Sequence, residues 1–178
     1  MTLFFPFTRL CYYVPQRLNL DITVACGVGF DTVVITVLNE GLNLAEVQLF
    51  NRGQQLSRDG LTFSMGSELN SGQYPASNCN DGVIPASASD PRNICHTDAP
   101  PFSTLTIQIN SGVTAVDQIK IWNRVDCCQF RINGATVAAY ASGALVWSTI
   151  VPSTSALMYS FVIGNQQSND KTLKIPHG

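Results

Sequence analysis

Apolar and polar residues alternate through most of this chain, and the roughly 3.6-residue period of an amphipathic helix is hard to find anywhere in it. Successive side chains of a strand point to opposite faces, so alternation sends one face of a sheet into a core and leaves the other to solvent. Leu105, Ile107 and Ile109, set against Thr104, Thr106 and Gln108, give the clearest case. Leu157, Tyr159, Phe161 and Ile163, set against Met158, Ser160 and Val162, give another. The same reading predicts strands over residues 31–38, 44–50, 118–122, 135–140 and 145–148, with Ala141-Ser142-Gly143 turning one hairpin. Strands this closely spaced imply an all-β domain, a β-sandwich or jelly roll. Composition agrees, since only 12% of residues are charged against 45% hydrophobic, and turn-forming residues abound. A chain of 178 residues suits one buried domain with appendages. The expected divisions are an N-terminal arm over 1–30, the sandwich over 31–164 and a C-terminal tail over 165–178.

Residues 66–101 break the pattern: Ser, Asn, Pro and Gly dominate, and two cysteines lie within. A loop of that length inside a compact domain is usually functional, or pinned by bridges or metal. Formal charge is −2 and no two basic residues are adjacent, which argues against the clustered basic surface that nucleic acid requires. No apolar run approaches the length of a membrane span. Residues 1–15 are apolar but carry Pro6 and Arg9, with no basic stretch ahead and no small-x-small cleavage site, so they are not read as a secretory signal. An apolar arm that is kept is expected to pack on its own domain or on a neighbouring subunit, and the polar tail is expected to serve partner subunits in the same way.

Six cysteines in a chain of this size suggest an oxidising destination. With no Cys-x-x-Cys pair and two histidines, structural zinc does not fit. Six cysteines allow fifteen connectivities, and the candidate bridges among them are Cys11 with Cys26, Cys79 with Cys95, and Cys127 with Cys128. The last pair is the most informative, because adjacent Cα atoms sit about 3.8 Å apart whereas relaxed disulfides want roughly 4.4–6.8 Å, so the bridge is a tight, rigid ring. It lies in Asn123-Arg124-Val125-Asp126-Cys127-Cys128-Gln129-Phe130-Arg131. Such a ring offers a flat sulfur surface between two guanidinium groups, whose planar donor forks suit paired oxygens such as the vicinal hydroxyls of a sugar. The competing reading is that the two thiols point to opposite faces of a strand and are buried singly or bridged elsewhere.

Several segments together resemble the discoidin-like (coagulation-factor C-type) galactose-binding fold over about residues 31–164: the run 42–49, Tyr74-Pro75-Ala76-Ser77-Asn78-Cys79-Asn80-Asp81-Gly82, Ile94-Cys95-His96-Thr97, and 123–131. The last two look like its fucose-binding branch, the F-type lectins. In that branch a His, a gap, Arg-x-Asp and a second Arg form the sugar motif, often with a Cys-Cys pair between. His96, Arg124, Asp126, Cys127, Cys128 and Arg131 fit that order. The resemblance implies that His96, Arg124 and Arg131 hydrogen-bond sugar hydroxyls while the sulfur ring lies against an apolar sugar edge. It also implies a Ca²⁺ ion held by Asn78, Asp81 and Glu46. Read from the residues alone, Glu46 points away from Ala45, Val47 and Leu49 and needs a partner, which an arginine or water could also supply; Asp81-Gly82 could equally be a plain turn. The family usually has an acid just before the second Arg, where this chain has Phe130, and its strand after the His is replaced by 102–107. The order of segments is similar to domains in large DNA viruses of algae and in their hosts, which implies a virion or extracellular surface.

No nucleophile-elbow pattern is present, and Asp126 lacks the second carboxyl that glycoside hydrolysis uses, so an enzyme is not expected. Asp126 is better suited to bracing an arginine. Trp122 and Trp147 read as sheet-face or core residues. Two functions follow: a non-catalytic carbohydrate-binding module, or a minor capsid protein that uses the sandwich for protein contacts.

Overall fold

The computed structural model describes residues 28–70, 72–84, 94–98, 100 and 103–164 in full, and the backbone of 10–13, 24–27 and 102. The chain is all-β, and every strand pairing is antiparallel. One sheet runs β13 (Met158–Val162), β10 (Gln118–Asn123), β4 (Asn43–Asn51), β5 (Gln54–Gln55), with β7 (Cys95–His96) also on β4. A second runs β12 (Ala144–Ile150), β11 (Thr136–Ala141), β3 (Thr32–Leu38), β8 (Phe102–Ile109), β6 (Leu61–Met65). A smaller sheet joins β1 (Leu10–Tyr13), β2 (Val24–Phe30) and β9 (Thr114–Val116).

Register explains the core. Val137, Ile35 and Leu105 stand opposite one another across β11, β3 and β8, and each is fully buried. Val47, Ile121 and Tyr159 stand opposite one another across β4, β10 and β13, the first two fully buried and the tyrosine nearly so. These inward rows form one cluster between the two larger sheets. Burying each such side chain contributes about 1.5–3 kcal/mol. The predicted turn at Ser142 and Gly143 joins β11 to β12, with φ of 49° and 81°. Both residues are left-handed, as the twist of a two-residue hairpin requires.

The predicted strands stand with shifted ends. Six further strands were missed: β1 and β2 lie before residue 31, β5, β7 and β9 are only two or three residues long, and β6 carries an alternation, Leu61-Thr62-Phe63-Ser64-Met65, hidden in a turn-rich region. Strand structure also reaches back before residue 31, since β2 pairs with β9 and Phe30 is fully buried in the core. The β1–β2 ladder sets Cys11 opposite Cys26, but their side chains lie outside the described residues, as do residues 1–9, 14–23 and the tail 165–178. Among the described residues no helix is long and apolar enough to cross a membrane.

Candidate functional site

The first residue of β4, the last of β10 and the two-residue β7 meet at one end of the sheet, with Asn43 opposite His96 and Asn123 opposite Leu44. The turn from β3 into β4 closes against this end. Asn39 takes φ 66°, and Gly41 lies so near the imidazole that a Cβ there would be 3.2 Å from His96 Cε1. Thr97 fastens the turn: its Oγ1 accepts from Leu42 N at 2.8 Å, and its N donates to Leu42 O at 2.9 Å.

His96 is 7% exposed. Its Nδ1 lies 2.6 Å from Thr97 O, and a carbonyl only accepts, so Nδ1 carries the proton. Nε2 is then an acceptor, and Arg131 Nη1 donates to it at 3.1 Å. Burial, helped by the nearby Arg131 and Arg124 charges, holds the imidazole below its ordinary pKa and so neutral.

The loop that brings the arginines is fixed by Asn123, which is 1% exposed. Its Nδ2 donates to Gln129 O and Ala156 O at 3.0 Å, and its Oδ1 accepts from Arg124 N at 2.9 Å. Arg124 grips Asp126 with Nε and Nη2 at 2.5 and 2.7 Å, and this guanidinium bond holds the Asp126 carboxyl below its usual range. Cys127 and Cys128 are bonded to each other, with Cα atoms 3.8 Å apart. Cys128 takes φ 64° and opens a 3-10 turn, Gln129–Ile132, on which Phe130 is 55% exposed and Arg131 reaches back to His96. The reading with two separate thiols does not hold.

The expected residues His96, Arg124, Asp126, Cys127, Cys128 and Arg131 thus gather at one end. Four others were missed. Glu40 Oε2 lies 3.6 Å from Arg131 Nε, and the Tyr74 ring is 6.1 Å from that of His96. Asn123 scaffolds the loop, and Asn43 is buried with both amide atoms lacking a hydrogen bond. Arg131 Nε is a third buried atom without such a bond. Asn39-Glu40-Gly41 was legible as a turn between two predicted strands; only the topology places it beside Arg131.

Glu46 lies on the other face of β4, beneath the 3-10 turn Ala76–Asn80, which the Cys79–Cys95 disulfide pins. It is fully buried, and burial pushes its carboxyl up to about 7. Oε2 accepts from Gly82 N at 3.3 Å, whereas Oε1 has no partner, nor does Asn80 Oδ1 on the covering turn. Among the described residues no Lys or Arg pairs directly with Glu46; Arg58 lies within electrostatic reach and donates to the Asp81 carbonyl. The Asp81 carboxylate accepts from Val83 N at 2.7 Å, and Asn78 Nδ2 donates to Ile94 O at 3.0 Å. Glu46 and Asp81 therefore converge on one loop, and the Asn78 amide nitrogen is held by the Ile94 carbonyl. Among the described residues no three His, Cys, Asp or Glu side chains are grouped so that they could hold a metal ion by themselves. The buried polar side-chain atoms without a bond thus fall in two places, beside His96 and around Glu46.

No family model, curated protein or solved structure matches this chain.

Proposed function

We propose that this end of the molecule is a non-catalytic carbohydrate-binding site of the fucose-lectin type, carried on a jelly-roll, discoidin-like sandwich at an extracellular or virion surface. The observation that carries the reading is the bond from Arg131 Nη1 to His96 Nε2, with Arg124 within electrostatic reach of the same imidazole and the Cys127–Cys128 ring in the same loop. Fixed donors beside a small apolar surface suit a sugar, whose hydroxyls and C–H edges alternate. Both ring nitrogens of His96 are engaged, by Thr97 O and Arg131, and neither arginine can give up a proton, which supports binding rather than catalysis. A glycan array probed with the wild-type chain and Arg124→Ala tests this. Selective binding lost in the variant supports it, and equal, featureless binding by both rejects it.

A Ca²⁺ ion belongs to the same proposal. Calcium takes oxygen ligands, and Glu46 Oε1 and Asn80 Oδ1 are buried oxygens without partners beside Asp81. The ion would supply the positive charge that the buried Glu46 lacks, and Asn78 would join through its amide oxygen, since the hydrogen bond to Ile94 O uses its nitrogen.

The second reading, a structural virion protein, is favoured by the edge strands. β12 and β13 carry no charged residue and expose Leu145, Ile150, Met158 and Val162. Bare apolar edges are ordinarily protected or used. Sedimentation should then show association that Val162→Lys abolishes, and a monomer at all concentrations counts against it.

A further inference from the structure

Resting on the carbohydrate reading, we propose that Glu40 is a positioning residue: its carboxylate sets the Arg131 guanidinium for the ligand and makes the site select uncharged sugars over acidic ones. Arg131 is held at one corner by His96, but its Nε is buried and makes no hydrogen bond. The carboxylate that pairs with that Nε is Glu40, at 3.6 Å, with side chains 28% and 44% exposed. That is ion-pair distance, longer than the roughly 2.9 Å of an N–H···O bond. The adjacent chain position offers no alternative, because Phe130 is uncharged and turned to solvent. The acid arrives instead from the β3–β4 turn, whose placement is fixed by left-handed Asn39, by Gly41 against His96, and by Thr97.

Charge follows from this geometry. Arg124 is neutralised by Asp126, Arg131 faces Glu40, His96 is neutral, and Asp98 is a further carboxylate within electrostatic reach of the imidazole. Among the described residues, each arginine of the site thus already faces a carboxylate, and neither is left to attract an anion. A hydroxyl can donate to a carboxylate while accepting from a guanidinium, whereas an acidic sugar meets like charge and loses its solvation.

The test measures affinity of the full chain for L-fucose and for L-galacturonate, which share their ring stereochemistry but carry a methyl and a carboxylate at C6. Wild type should prefer L-fucose. Glu40→Gln should lose about tenfold for L-fucose and less for L-galacturonate, narrowing the preference. An unchanged preference, with both affinities intact or lowered alike, overturns the proposal, since a merely structural role moves both sugars together. If wild type binds neither sugar, the carbohydrate reading fails, and the pairing is judged by NMR. A shifted, exchange-protected Arg131 Nε–H that Glu40→Gln abolishes upholds the pairing and limits Glu40 to holding Arg131; identical resonances in both chains overturn it.

Discussion

Glu46 shows how a single buried carboxyl sets a pH dependence. Its folded value of about 7 lies above the ordinary 4.5, so between those values the folded chain keeps a proton that the unfolded chain has released. Stability from this group is complete below the ordinary value and is lost as pH rises through about 7. The unfolding free energy of wild type should therefore fall between pH 5 and 8, by on the order of 3 kcal/mol, and Glu46→Gln should flatten that slope. Added Ca²⁺ should restore wild type at pH 8 and leave Glu46→Gln unmoved; a wild type indifferent to Ca²⁺ argues against the ion. His96 runs the opposite way. Its depressed value keeps it neutral through the ordinary imidazole range, and protonation in stronger acid would set a positive charge against Arg131. Sugar affinity, followed by titration calorimetry, should be flat from pH 8 to 7 and fall below the ordinary value of about 6.5. Of these two residues the sequence shows less than it suggests: alternation turned Glu46 off the face shared by Val47 and Leu49, but that this face is covered too depends on a loop more than twenty residues away.

At the level of elements, the two disulfides should behave differently. Cys79 and Cys95 are fully buried, whereas Cys127 and Cys128 are partly exposed. A thiol reductant needs access to the sulfur it attacks, so mild reduction should open the adjacent pair first and abolish sugar binding before the fold is lost. Mass-spectrometric mapping of labelled thiols alongside a binding assay checks that order. Replacing Cys79 and Cys95 with Ala, at a separation of 16 residues, should cost about 3 kcal/mol in denaturant unfolding. The strands were largely readable because each inward row repeats every second residue, as in Val33, Ile35 and Val37. The short connecting pieces were not. β7 is only Cys95 and His96, too short for any period, and its place on β4 comes from tertiary pairing rather than from local pattern.

For the whole molecule, two antiparallel sheets share one apolar interior, and the site occupies an end where several strands start or stop. Core and site should thus be separable. Ile121→Ala, in the middle of β10, removes a fully buried side chain and should lower stability by about 3 kcal/mol, while sugar affinity of the folded fraction stays within twofold. The sequence showed the residue types of the site in order along the chain, but not that Glu40 and Tyr74 would join them, because strand order decides which loops become neighbours. One consequence concerns the two ends of the Cys79–Cys95 bond. Cys79 lies in the turn that roofs Glu46, and Cys95 immediately precedes the imidazole that receives Arg131. That bond is a tie rod, a covalent link between the roof over Glu46 and the strand that carries the histidine.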